Sequence, residues 1–234
     1  MPTRAATDRP ARGSTRHAGV MRDDVVDAAL EVVEAGGGEA LTMRGLAARL
    51  GVAPTTVYWH VGARDELVLA VVRRQAERQA ASDVRGTTPA DRIQSAATNI
   101  WRNARTHHHV TALANEVGAT TLLELPLEVA LAAELEAAGL DGAAARDGLR
   151  SLLACIAGFL VLAWRPDARV PEHLRTASLW ATVDDHRLSE RTREAMRTYG
   201  DAERMFDRTI RAVIDDLLDP HGGRDAIGDE EDGT

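Results

Sequence analysis

The chain of 234 residues has one cysteine, two tyrosines, two phenylalanines and no lysine. Cys155 has nothing to pair with, so there is no disulfide framework and nothing argues for an oxidising compartment. It sits inside "LLACIAGFLVLAW" (152–164), where a free thiol behaves as a small apolar core residue. That run is also the sole membrane candidate, and its 13 residues fall short of the ~20 that span a bilayer. The opening "MPTRAATDRPARGSTRHAGV" carries arginines without the apolar segment of a secretory signal. No membrane partner is therefore expected, and the cytoplasm is the expected location. β-Branched residues are sparse outside short runs, whereas alanine and leucine abound. That balance favours helices over sheets.

All 28 basic residues are arginine, and the net charge is −8. A surface built all over for nucleic acid would carry the opposite sign. The distribution is uneven, however. Residues 1–22 hold five arginines against one aspartate, and residues 40–64 hold Arg44, Arg49 and Arg64 with no acid. From His221 onward five acids face Arg224 alone. Positive charge is gathered at one end.

Periodicity predicts helices throughout and no strands. Val26, Ala29, Leu30 and Val33 fall at helical spacing, with Asp23, Asp27, Glu31 and Glu34 opposite, and Gly36-Gly37-Gly38 is expected to stop that helix. In "LTMRGLAARLGVAPTTVYWHV" (41–61), Thr42 is placed to cap a short helix and Leu41 to staple onto Leu46. Gly51 turns the chain, and Pro54 sits in the first turn of a second short helix. Two short helices around a three-residue glycine turn form the helix-turn-helix pattern. A longer helix starts at Arg64, although Ala63 cannot cap it, so its start is expected to be loose. "RGTTP" (85–89) breaks the chain, and Thr88 caps the next helix. That helix is expected to run to about Thr106, with others over 108–117, from Pro126 (as start or kink) to Gly139, over 142–165 and over 201–218. Residues 167–200 read as a loop with one or two short helices.

Tyr58, Trp59 and His60 stand side by side in a chain poor in aromatics. Helical neighbours point about 100° apart, so the three cannot share one buried face. Part of this surface has to face outward.

A helix, a helix-turn-helix and a fourth helix within the first 80 residues, followed by a helical remainder, resemble the tetracycline-repressor (TetR) family of bacterial transcriptional regulators. The likeness rests on "LTMRGLAARLGVAPTTVYWHVGARDEL" (41–67), preceded by "DAALEVVEAGG" (27–37). It implies an all-α fold with an N-terminal three-helix DNA-binding domain and a larger helical domain for ligand binding and dimerisation. The expected divisions are a basic arm (1–19), a DNA-binding domain (20–82), a ligand-binding and dimerisation domain (83–220) and an acidic tail (221–234). By the same resemblance Pro54, Thr55, Thr56 and Trp59 touch bases, and Thr42, Tyr58, His60 and Arg64 reach phosphates. Arg44 makes a forked contact to a guanine, a geometry suited to that base. Val57 and Val61 belong to the small core.

The resemblance further implies a homodimer through helices 142–165 and 201–218, a palindromic operator on double-stranded DNA, and a small-molecule effector whose binding moves the helix from Arg64. Trp101, Phe159, Leu162, Trp164 and Trp180 are the large apolar candidates for lining its pocket. His107, Asn115 and Glu116 are the polar ones. "HHH" (107–109) invites a metal reading, but consecutive helical positions diverge and no His or Cys follows at ligand spacing. Nor is there a Ser/His/Asp order, a paired-carboxylate spacing or a phosphate-binding glycine loop. The expectation is a repressor with no cofactor, metal or enzymatic activity. The alternatives are a regulator without a small-molecule inducer, or a metal-responsive one using His107–His109.

Overall fold

The computed structural model describes residues 19–163, 177–198 and 200–219. The acidic tail, Trp164 and residues 1–18 of the arm lie outside them. Ten helices are labelled: α1 (Arg22–Ala40), α2 (Met43–Leu50), α3 (Pro54–Val61), α4 (Arg64–Gln79), α5 (Pro89–Thr106), α6 (His108–Glu116), α7 (Thr120–Ala137), α8 (Gly142–Ala163), α9 (Glu190–Met196) and α10 (Ala202–Leu217). The described residues contain no strand. None of their helices is long and apolar enough to cross a membrane.

The N-terminal helices form where the periodicity placed them. Val25, Val26, Ala29, Leu30 and Val33 are buried along α1. The glycine run, expected to stop that helix, instead lies within it. Gly37 breaks the regular geometry at φ 75°, and the chain then makes one more turn to Ala40. The run also serves packing, because a methyl added at Gly38 would press on Leu113 of α6. Bare backbone here lets α6 approach α1 closely.

Two apolar cores result. The first gathers Leu30, Leu46, Val57, Leu67 and Val71 of α1–α4, and it is completed by Val110 and Leu113 of α6 and Leu123 of α7. The second joins α5, α7, α8 and α10 around Ile93, Trp101, Leu131, Ile156, Phe206 and Ile210. Helix α7 spans both, with Leu123 in one and Leu127 in the other. It begins at Thr120 and runs through Pro126, so the proline neither starts it nor ends it.

Phe206 is the centre of the second core. Trp101 stacks on it at 4.3 Å between centroids, and Phe159 meets it edge-on at 5.4 Å. The Arg105 guanidinium lies 4.4 Å above the outer part of this stack, over the Trp101 ring. Along α8, Leu152 and Ile156 are buried against this core, whereas Ala154, Ala157, Gly158 and Val161 are exposed. One side of α8 therefore serves its own chain and the other is uncovered.

Phe206 is fully buried. Phe206→Ala should lower the unfolding free energy by about 3–5 kcal/mol, read from urea transitions. A loss below ~1 kcal/mol would mean that the aromatic stack does not hold this core together.

Candidate nucleic-acid interface and the buried cleft

Thr42 opens α2, its hydroxyl accepting the Gly45 N–H at 3.1 Å. Leu41 and Leu46, the stapled pair, are both buried. The turn closes with the Val52 N–H donating to the Ala47 carbonyl at 3.0 Å. α3 is then held by one face: Val57 and Val61 enter the core, which turns Pro54, Thr55, Tyr58 and Trp59 outward. Trp59 is 81% exposed and Tyr58 51%. His60 is half-buried, its ring edge-on to Trp59 at 4.7 Å. Thr56 is also half-buried, and Arg44 projects from α2 into solvent.

Two residues differ from the simplest expectation. The start of α4 is not loose, because the Glu66 carboxylate reaches back to accept the Ala63 N–H at 2.7 Å and supplies the cap that Ala63 lacks. Gly62 makes room for it: at φ 72°, a side chain there would be strained and would overlap that carboxylate. Arg64, expected to point at a phosphate, donates to the Gly38 carbonyl at 3.0 Å and the Leu41 carbonyl at 3.4 Å. It thereby adds a second donor to the Gly38 carbonyl, which already accepts the Leu41 N–H at 3.2 Å, and ties α4 to the end of α1.

The histidine run faces the same end of α1. The His107 Nδ1 is 2.8 Å from a Glu34 carboxylate oxygen, and the His109 Nδ1 is 2.9 Å from the Glu34 carbonyl. Among the described residues, no three His, Cys, Asp or Glu side chains gather as a metal would require. His107 thus joins α6 to α1. Asn115 and Glu116 are exposed at the far end of α6, and Trp180 is half-buried in a short helical stretch, 177–180. Trp101 and Phe159 pack on Phe206 in the core. Leu162 lies on α8, with its side chain outside the described part.

A narrow cleft with about 10 Å³ of room, scarcely that of one water, lies between α4, α5, α6 and α7, and His107 does not line it. Its polar side chains are Gln79, Asn103, Thr111 and Glu124, and its apolar wall includes Ile100, Leu123 and Leu127. Sequence reasoning named none of these polar residues. Gln75 and Gln79 are in fact buried, 1% and 4% exposed, one helical turn apart. The signal available was that spacing, which continues the apolar stripe of α4. Burial raises the Glu124 carboxyl above the usual carboxylate range, and the negative charge of Glu128 raises it further.

Residues 25–71 match the family of bacterial regulatory proteins of the tetR type. No curated protein sequence matches the chain. Among solved structures it is similar to the transcriptional regulator SCO7222 of Streptomyces coelicolor, at TM-score 0.66 and 20% identity, over 86% of this chain and 98% of that one. It is similar to apo ActR of the same organism at TM-score 0.63 and 20% identity, over 86% and 96%. Mycobacterium smegmatis BioQ matches at TM-score 0.56 and 22% identity, over 86% and 98%. These likenesses extend the shared fold well beyond the N-terminal helices.

A carboxyl whose pKa is raised by folding keeps a proton that the unfolded chain releases. Stability therefore falls as pH climbs from the ordinary glutamate range through the raised value, then levels off. Glu124→Gln removes this loss, so the variant's advantage over the parent should grow across that window. Urea midpoints between about pH 4 and pH 8 test it; a difference that does not change with pH would mean that Glu124 is solvated like a surface glutamate.

Proposed function

We propose that this chain, whose N-terminal helices are the helix-turn-helix domain of the TetR family of transcriptional regulators, grips a palindromic operator as a two-fold dimer. It acts as a repressor and lets go when a small organic molecule enters the cleft. Its place is with the DNA in the cytoplasm. The observation that carries this is the exposure of Trp59 and Tyr58 on a helix whose opposite face is locked by Val57 and Val61. Rings held outward on a rigid short helix, with Pro54 and Thr55 beside them, suit a recognition helix in the major groove. Apolar edges and threonine methyls complement the thymine methyl group.

Thr42, Tyr58 and His60 flank that face and are assigned to phosphates. The Thr42 oxygen already accepts a backbone N–H, and its hydroxyl hydrogen remains for a phosphate oxygen. Arg44 is assigned to a guanine. Arg64 can reach a phosphate only by sharing or leaving its two carbonyls on α1. The dimer forms through the uncovered side of α8 together with α10, where Ala154, Ala157 and Gly158 allow a close crossing. A two-fold pair of recognition helices calls for an inverted repeat.

The cleft supports the effector part of the reading. At about 10 Å³ it is closed compared with the ~300–1,000 Å³ of ordinary ligand sites. An organic occupant must therefore spread the helices that line it. α4 begins beside the recognition helix, and α6 is bound to α1, so spreading them shifts both recognition helices of a dimer. Only ~1–3 kcal/mol of coupling is needed for such control. A protein of this fold, ActR, has been seen in complex with actinorhodin, which supports an organic occupant here.

Selection from random duplexes should enrich an inverted repeat. Failure to prefer any such fragment over random competitor at moderate salt would overturn the reading. Arg44→Ala should lose ~1–3 kcal/mol of discrimination at one base pair per half-site. Equal weakening on every sequence would make Arg44 a phosphate contact instead. Arg64→Ala should reduce the salt slope of binding by about 0.9 without changing the preferred site; an unchanged slope would leave Arg64 to its carbonyls alone.

A further inference from the structure

The charge and hydrogen-bonding balance of the cleft points to the chemical class of its occupant. Glu124 is the only ionisable side chain among the residues lining it, and no arginine or histidine joins it there. Glu128 stands one helical turn along α7 from Glu124 and adds a second negative charge. The other polar groups are mostly spare acceptors. The Asn103 Nδ2 donates to the Asn99 carbonyl at 2.9 Å, which leaves its Oδ1 unused. The Thr111 hydroxyl donates to the His107 carbonyl at 3.2 Å, leaving its lone pairs. Gln79 is 4% exposed and lines the cleft, and its side chain makes no hydrogen bond among the described residues. One turn back, the Gln75 Oε1 is buried and equally unpartnered.

We propose that the cleft takes an organic cation, an amine carried as its ammonium on an apolar body, with the Glu124 carboxylate as counter-charge and the Gln79 and Asn103 carbonyl oxygens accepting its N–H groups. The inference rests on reading the cleft as an effector site and names the ligand class. An anion would face two carboxylates with only the neutral Gln79 amide N–H groups to offset them. A neutral molecule would displace water from Glu124 and return no charge, so the desolvation of the carboxylate would stand uncompensated. The apolar wall of Ile100, Leu123 and Leu127 suits the hydrocarbon part of the ligand and makes a bare inorganic ion a poor match. The space is about 10 Å³, so the ammonium compound enters only as the lining helices spread.

Phenethylammonium, phenethyl alcohol and phenylacetate share one carbon skeleton and differ in head-group charge. Calorimetric titration of the full-length protein should rank them in that order, with the ammonium at least about tenfold tighter than the alcohol. Glu124→Gln should remove this preference by weakening the ammonium and lifting the desolvation cost of the alcohol, and Glu124→Asp should restore part of it. Equal or tighter binding of the alcohol or the carboxylate, a preference that survives Glu124→Gln, or no ammonium binding at millimolar concentration would each overturn the proposal. Operator binding by the unliganded protein is measured in parallel. Its absence would remove the DNA-binding reading and leave the charge preference to be judged on its own.

Discussion

The carbonyl end of α1 is the contact on which the arrangement of this protein depends. A helix terminus leaves its last carbonyls without intrahelical partners. Here Arg64, the first residue of α4, takes two of the carbonyls there, at Gly38 and Leu41. From the other side His107 and His109, at the start of α6, reach Glu34. Leu113 settles against the bare backbone of Gly38. One short stretch of α1 thus joins α4, which follows the outward-facing rings of α3, to α6, which helps to line the cleft. A displacement of α6 or α4 cannot be absorbed locally, since close-packed interiors transmit strain.

The cleft stands at the other end of this linkage, where α4, α5, α6 and α7 meet. Natural interiors seldom leave buried polar groups unpartnered, yet the Gln75 Oε1 has no partner among the described residues and Glu124 is desolvated beside Glu128. Their arrangement opposes stability in the empty state. A ligand that supplies hydrogen bonds and charge there gains what the folded chain forgoes. It also has to widen a space of about 10 Å³, so its binding energy depends on the positions of the lining helices. Differential affinity of that kind is what lets a ligand shift a conformational equilibrium.

Much of the helix-turn-helix was legible from local sequence. The Thr42 cap, the Leu41–Leu46 staple, the turn at Gly51 and the outward rings of Tyr58 and Trp59 all come from residue type and helical spacing. Other readings needed correction because one residue type serves two ends. Gly36–Gly38 read as a stop, but bare backbone also suits a close crossing, and α6 makes one there. Ala63 read as a missing cap, but Glu66, three residues on, supplies it. The three histidines diverge, as helical spacing requires, yet their partner lies more than 70 residues earlier in the chain. No local pattern announces such a partner.

The sequence by itself determined which segments are helical, which face of each is apolar and which short helix turns its aromatic rings outward. Those properties depend on side-chain chemistry repeated every three or four residues. Only the tertiary structure decided that Arg64 binds carbonyls of α1, that His107 belongs to an interhelical link, and that Gln79, Asn103, Thr111 and Glu124 share one space. Those four residues come from four helices, and their meeting depends on how the helices cross. Crossings are settled by the fit of whole packed surfaces, a property that no single stretch of chain carries.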